Sequence, residues 1–183
     1  MDAGHRAWFL SPFLSTVGVG IAKSQAGRYY ESVLVNNSPD RNRTPSSEIV
    51  SYPNNGVFPV EELTAANGST QIPWSISSAS SANLVTDDTK ITVTNLTDGT
   101  TGTTSPIYSG SAAYSKSFMS FLPPNAVTIN DHSQYKVTIS GLNSDSQPNY
   151  SYQFKTFSEA GNGVSGSISD TVNTQEKITT NVN

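Results

Sequence analysis

Two alternating segments in the last third of the chain constrain its fold most strongly. In residues 135–140 Tyr, Val and Ile alternate with Lys, Thr and Ser, and residues 150–155 repeat the alternation with aromatic residues on the apolar side. A period of two is typical of a strand that is buried on one face and solvated on the other. The polar sequence from Gly141 to Asp145 separates the two segments. The pattern therefore predicts a β-hairpin that packs on a core.

Further short strands extend this pattern over residues 70–160. They are separated by polar turns, as in a β-sandwich. The candidate strands are Ile72–Ser78, Lys90–Leu96, Ser117–Leu122, Gln134–Ser140 and Tyr150–Phe157. Trp74 is expected to fill the sandwich core or the junction with the preceding unit, with ligand binding as the alternative.

The stretch from Tyr135 to Leu142 resembles the strand and exit loop of immunoglobulin-like and fibronectin type III-like modules. In such modules a tyrosine near the start of a strand anchors a corner. The resemblance implies an all-β immunoglobulin-like sandwich over residues 70–160. Folds of this kind serve adhesion, spacing and ligand binding alike, so the resemblance does not specify a function.

The N-terminal residues predict one short helix and a second hairpin. Asp2 is a candidate helix cap, and His5, Trp8 and Phe9 then share a face up to the stop at Pro12. Strands are expected over 17–22, where glycines leave one side bare, and over 28–35. A helix and a hairpin of this size cannot bury enough apolar surface to fold alone, so another surface must cover them.

The sequence from Gly4 to Leu14, followed by the glycine-spaced strand 17–22, resembles the second half of a CAP domain. This is the fold of cysteine-rich secretory, antigen-5 and pathogenesis-related proteins, here in the cysteine-free form of bacterial secreted proteins. Residues 49–59 resemble the segment that closes the module in bacterial members. The resemblance implies a partial α+β CAP sandwich over 1–65, whose first half lies upstream in a longer parent.

In CAP proteins the Gly-His pair contributes one of two histidines that line a cleft with two acidic residues and in some members bind a divalent metal. His5 matches that histidine, and the other three residues have no counterpart here. The resemblance thus implies His5 as a metal ligand in an incomplete site; the alternative is that His5 caps or packs in the helix. No cofactor is expected in this chain, whereas a full-length parent could hold a metal such as zinc.

Other polar groups favour turns over ligand sites. The strand with the clearest alternation is preceded by Asn130, Asp131 and His132, which favour a turn over a metal site. Two acidic pairs could supply oxygen ligands to calcium but are better explained as turn residues: Asp87-Asp88 and Asp98-Gly99. A group of aromatic, proline and glycine residues has two interpretations. It could form a platform on which a sugar stacks, or it could pack at a domain junction. The group consists of Tyr52, Pro53, Gly56, Phe58 and Pro59.

The amino-acid composition limits the possible binding partners and the cellular location of the protein. The net charge is −4, and no run of Lys or Arg marks a site for nucleic acid or an anionic membrane surface. No apolar stretch is long enough to span a membrane, and the chain has no cysteine. The abundance of Ser, Thr, Asn and Gly is typical of extracellular β-rich modules, so the protein is expected outside the cell or on its surface, with a signal peptide outside this chain. Residues 161–183 are expected to form a flexible tail or linker.

Three functions remain open at this stage. No catalytic motif occurs, and the two histidines lie in different predicted units, so no catalytic residue is expected. The first hypothesis is a secreted or cell-surface non-catalytic module that binds a protein, lipid or glycan. The second is a fragment of a metal-dependent hydrolase or peptidase with its cleft around His5, and the third is a structural spacer.

Overall fold

The structure, a computed structural model, describes residues 3–35, 43–64, 71–80, 82–112, 114–144 and 147–158. One six-residue helix, α1 (Gly4–Phe9), precedes the strands, and a 3-10 helix covers Val60–Leu63. In chain order the strands are β1 (Gly18–Lys23), β2 (Tyr29–Leu34), β3 (Ile49–Tyr52), β4 (Gly56–Pro59), β5 (Trp74–Ser78), β6 (Val85–Asn95), β7 (Thr101–Thr104), β8 (Tyr108–Ala112), β9 (Ser115–Phe121), β10 (Gln134–Leu142) and β11 (Asn149–Phe157).

These strands form three sheets. One sheet has the order β4-β11-β10-β6-β7, a second has the order β3-β5-β9-β8, and β1 pairs only with β2. All pairs are antiparallel except β4 with β11, which run parallel. Strands β3 and β4 are consecutive in the chain but lie in different sheets, so the segment between them crosses from one layer of a sandwich to the other.

Alternation places one apolar face of each large sheet in a shared core. Trp74, at the start of β5, is completely buried and contacts Phe121 of its own sheet and Phe154 of the opposite sheet edge-on. Tyr135 stacks on Phe154 with ring centroids 5.1 Å apart. Because aromatic rings remove much apolar area from water, this cluster contributes strongly to the stability of the sandwich.

A tyrosine fixes the approach to β10. The Tyr135 hydroxyl donates a hydrogen bond to the carbonyl oxygen of Thr128 at 3.0 Å and accepts one from the backbone N–H of Asn130 at 2.8 Å. The ring is buried in the core while its hydroxyl closes the preceding loop. The expectation that a tyrosine near this strand start anchors a corner is confirmed.

The five predicted strands of the sandwich are all present, with shifted ends. The observed strands are β5, β6, β9, β10 and β11, and the predicted hairpin of β10 and β11 is formed with Tyr135 opposite Phe154. Trp74 lies in the core, as predicted. Gly141, predicted to lie in the connecting turn, lies within β10 at an irregularity in its pairing with β6; its φ is +70°, and a Cβ there would meet the carbonyl oxygen of Asp88 at 2.5 Å, so only glycine fits.

The predicted fold class is wrong in its α+β part. The described residues are mostly in strands, with a single short α-helix and no α+β CAP sandwich. Residues 49–59, assigned by resemblance to the CAP module, form β3 and β4 and pair with β5 and β11. The physical reason is that Ile49 and Ser51 alternate inward and are buried against the sandwich. The sandwich therefore starts at Ile49, ahead of the expected boundary at residue 70.

Two expectations lie outside the described residues: the capping role of Asp2 and the flexible tail at 161–183. Where the structure describes the start of α1, Ala3 occupies the capping position without a side-chain hydrogen bond. The predicted N-terminal hairpin is present as β1 and β2.

Candidate functional site

Helix α1 docks on the outer face of the four-stranded sheet. The Arg6 guanidinium lies 3.7 Å from the centroid of the Tyr52 ring, donates to the carbonyl oxygen of Pro73, and reaches the Ser75 hydroxyl at 3.4 Å. Trp8 contacts the ring of Tyr114, with centroids 3.9 Å apart. Ser75 is buried although it faces away from the core, so the small serine side chain leaves room for the helix.

Burial sets the ionisation of the two groups at this contact. Desolvation lowers the pKa of Arg6, while the nearby Tyr52 opposes that shift. Desolvation likewise raises the pKa of Tyr52, against the stabilising effect of the Arg6 charge on the phenolate. The raised pKa keeps the Tyr52 hydroxyl protonated at neutral pH, so the guanidinium of Arg6 lies over a neutral aromatic ring in a cation–π contact.

His5 projects from α1 into solvent. Within the described ranges, no group of three or more His, Cys, Asp or Glu side chains converges closely enough to hold a metal ion. A metal centre takes three or four protein ligands. The role of His5 as a metal ligand, which the CAP resemblance implied, stays a prediction.

The other polar candidates lie in turns, except Asp87 and Asp88, which were predicted to form a turn but lie within strand β6. His132 has a φ of +51°, and its Nδ1 lies 2.8 Å from an oxygen of the adjacent Asp131. Asp98 accepts hydrogen bonds from the backbone and hydroxyl of Thr100 and from the amide of Asn95. The Thr100 hydrogen bonds lower the pKa of Asp98. Asp87 and Asp88 lie near the start of β6, where the backbone N–H of Asp88 bonds to Thr86.

The aromatic group around Tyr52 is a packing element. The Tyr52 ring contacts Phe58 edge-on, is covered by Arg6, and its hydroxyl donates to the carbonyl oxygen of Glu62. Pro53 is buried. With one face of the Tyr52 ring occupied by Arg6, these residues fit the structural interpretation and do not form an open stacking surface for sugar.

The β1–β2 hairpin is solvent-exposed along its whole length. Large apolar side chains on both strands are at least two-fifths exposed: Val19, Ile21, Tyr29, Tyr30, Val33 and Leu34. Opposed residues share a side, so Val19, Val33 and Ile21 line one side while Tyr30 and Leu34 flank the two glycines on the other. No described part of the chain covers either side of this hairpin.

The five-stranded sheet presents a second open surface, here called the polar face. It is the outward side of β6, β7, β10 and β11, opposite the core. The strand register aligns its side chains in two cross-strand rows. These rows are Thr101, Thr94, Lys136 and Gln153, and then Thr103, Thr92, Thr138 and Ser151.

The two rows of the polar face differ in their internal bonding. In the first row the hydroxyl oxygens of Thr94 and Thr101 are 3.0 Å apart, and Gln153 accepts from Gln134 at 2.8 Å. In the second row no hydroxyl has a side-chain hydrogen bond to another described residue. Four adjacent strands therefore present a line of hydroxyl groups that can donate to and accept from a ligand.

Sequence analysis found only part of this surface. It placed Lys136, Thr138 and Ser140 in water, but the row requires β7, which was not predicted. The usable signal was the Asp98-Gly99 turn followed by a threonine-rich segment, since a turn of this kind joins antiparallel strands. Alternation alone could not reveal which residues of separate strands stand side by side.

Comparison with known proteins identifies no relative. No protein-family model, no curated protein and no solved structure matches the chain. The resemblance of residues 4–22 to a CAP domain therefore stays a prediction. Among the described residues, no helix has the length and apolarity needed to cross a membrane.

Proposed function

We propose that this chain is a non-catalytic binding module of a secreted or cell-surface protein, built on an immunoglobulin-like sandwich. The sheet order supports the immunoglobulin-like assignment: consecutive strands β3 and β4 divide between the sheets, and the strand of the tyrosine corner, β10, is central in the larger sheet. The polar composition, rich in Ser, Thr, Asn and Gly, supports the extracellular location.

The observation that carries the proposal is the contrast between the two outward faces of the sandwich. Helix α1 occupies the outer side of the four-stranded sheet through Arg6 and Trp8. The polar face of the five-stranded sheet carries hydroxyl groups without partners in the described chain. A rigid sheet whose donors and acceptors are not used within the protein is a surface on which an extended ligand can bind without reorganising the protein.

The test is chemical-shift mapping by NMR with four probes: dextran, polygalacturonate, phosphatidylglycerol vesicles and an unstructured peptide. Shifts from any probe that cluster on β6, β7, β10 and β11 support the proposal. Shifts that cluster on α1 or on the β1–β2 hairpin contradict it. If no probe changes any chemical shift, the result also contradicts the proposal and favours the hypothesis of a structural spacer.

A further inference from the structure

Three of the six lysines in the chain lie on the polar face: Lys90, Lys136 and Lys155. Lys155 pairs with Gln134, two residues before Lys136, while Lys90 pairs with Ser140, four residues after it. With strands about 4.8 Å apart and a rise of about 3.4 Å per residue, the Cα atoms of successive lysines are about 8 and about 14 Å apart. The lysines form a diagonal line across three strands.

This face is positive in a chain of net charge −4. In the part of the chain that the structure describes, none of these lysines is in an ion pair. The two hydroxyl rows contain no carboxylate, and the nearest acidic side chain on the same side of β6 is Asp88, beyond Lys90. The sequence shows no run of basic residues here, because the three lysines are 46 and 19 residues apart along the chain.

The other side chains in the two rows of the polar face limit the chemical class of ligand that this face can bind. They are threonine, serine and glutamine, with no aromatic ring on which a base could stack and no large apolar group that could enter a bilayer. Hydroxyl and amide groups suit a ligand with many hydroxyl groups, and a line of ammonium groups suits anions repeated along a chain.

We propose that the polar face binds an anionic polysaccharide. The ammonium groups of Lys155, Lys136 and Lys90 pair with successive carboxylate, sulfate or phosphate groups, and the row from Thr103 to Ser151 bonds the sugar hydroxyls between them. This inference rests on the proposed function, because it assigns a ligand class to the same face.

The experiment compares two charge-matched variants of the full chain. One carries K90Q, K136Q and K155Q; the control carries K23Q, K116Q and K177Q, which removes the other three lysines and changes the net charge equally. Affinity for polygalacturonate, dextran sulfate, a phosphate-bearing teichoic acid, neutral dextran, phosphatidylglycerol vesicles and single-stranded DNA is measured by calorimetry. Unfolding midpoints of both variants check that each is folded.

We expect the polar-face variant to bind at least one anionic polymer about tenfold more weakly than the wild type, and the control to stay within about twofold. Wild-type binding should weaken as salt rises from about 50 to about 300 mM, because exposed charges are screened. The three polymers distinguish carboxylate, sulfate and phosphate as the anion recognised.

Each of the following results overturns the inference. Equal losses in both variants show that total charge and not this face governs binding, and a preference for neutral dextran leaves the face as a binding surface but rejects the anionic ligand. Binding to phosphatidylglycerol vesicles or single-stranded DNA that exceeds binding to every polysaccharide also rejects it. Failure of all these probes rejects the inference, and the proposed function is rejected as well only if the NMR probes, the peptide included, also cause no shifts.

Discussion

The sandwich and the β1–β2 hairpin are both made of alternating strands, but only the sandwich has a core. In β10 the apolar positions are buried between two sheets, whereas in β1 Val19 and Ile21 are about two-thirds exposed. A residue pattern thus specifies a strand and its two sides, and the tertiary partner decides whether a side is buried. Helix α1 lies between these extremes, since it is short but anchored on the sandwich.

The largest expected difference in stability between the sandwich and the hairpin follows from truncating a buried side chain in the core. Trp74→Ala should lower the free energy of unfolding by about 3–5 kcal/mol, because it leaves a cavity between the sheets. Val19→Ala on the hairpin should change it by less than about 0.5 kcal/mol. Urea denaturation measures both values.

Because Trp74→Ala can abolish folding, Ile76→Val provides a milder core change, with an expected loss of about 0.5–1.5 kcal/mol. Ile76 is fully buried in β5. If Val19→Ala proves as destabilising as Ile76→Val, the hairpin is packed in solution and the comparison fails.

The helix anchor should give an intermediate effect. Arg6→Ala removes the cation over Tyr52 and the bonds to the 73–75 segment, so we expect a loss of about 1–2 kcal/mol and a red shift of Trp8 fluorescence. Lys23→Ala is the matched control, because its ammonium lies 5.1 Å from the Tyr29 ring in the hairpin. If Lys23→Ala lowers the free energy of unfolding as much as Arg6→Ala does, the hairpin and the helix are equally anchored.

The smallest expected effect concerns pH and the β6–β7 turn. Hydrogen bonds from Thr100 keep the pKa of Asp98 below its ordinary value, so the ionised carboxylate favours the folded state. That contribution is present above the unfolded-state pKa and is lost as pH falls through the folded-state pKa. Thr100→Val should therefore raise the pKa of Asp98 and make stability less sensitive to acid.

Carbon-detected NMR titration of the Asp98 carboxyl measures this shift, with Thr103→Val on the neighbouring strand as the control. An unchanged titration curve in Thr100→Val would show that the hydroxyl bond does not govern the carboxylate. The hairpin turn offers the contrast, because its hydrogen bond from Arg28 N–H to the Ser24 hydroxyl involves no titrating side chain.

The parts of the fold that sequence predicted are those with strong alternation. Tyr135, Val137 and Ile139 mark a buried face without any knowledge of the neighbours, and Tyr135 indicated the corner as well. Strands β3 and β4 were missed because each has four residues and a proline-containing segment joins them. Strand β7 was missed because Thr101–Thr104 contains no apolar side chain. The polar face could not be predicted, since it depends on the register of strands far apart in the chain.

The parallel pair of β4 and β11 has a mechanical consequence. These are strands near the two ends of the sandwich, and Gly56 to Pro59 run alongside Phe154 to Phe157 in the same direction. A pull that enters before β4 and leaves after β11 loads the pair in shear, so its hydrogen bonds share the force and must rupture together. Under a load applied to these two strand ends, this edge of the sandwich resists separation as a unit and does not open one hydrogen bond at a time.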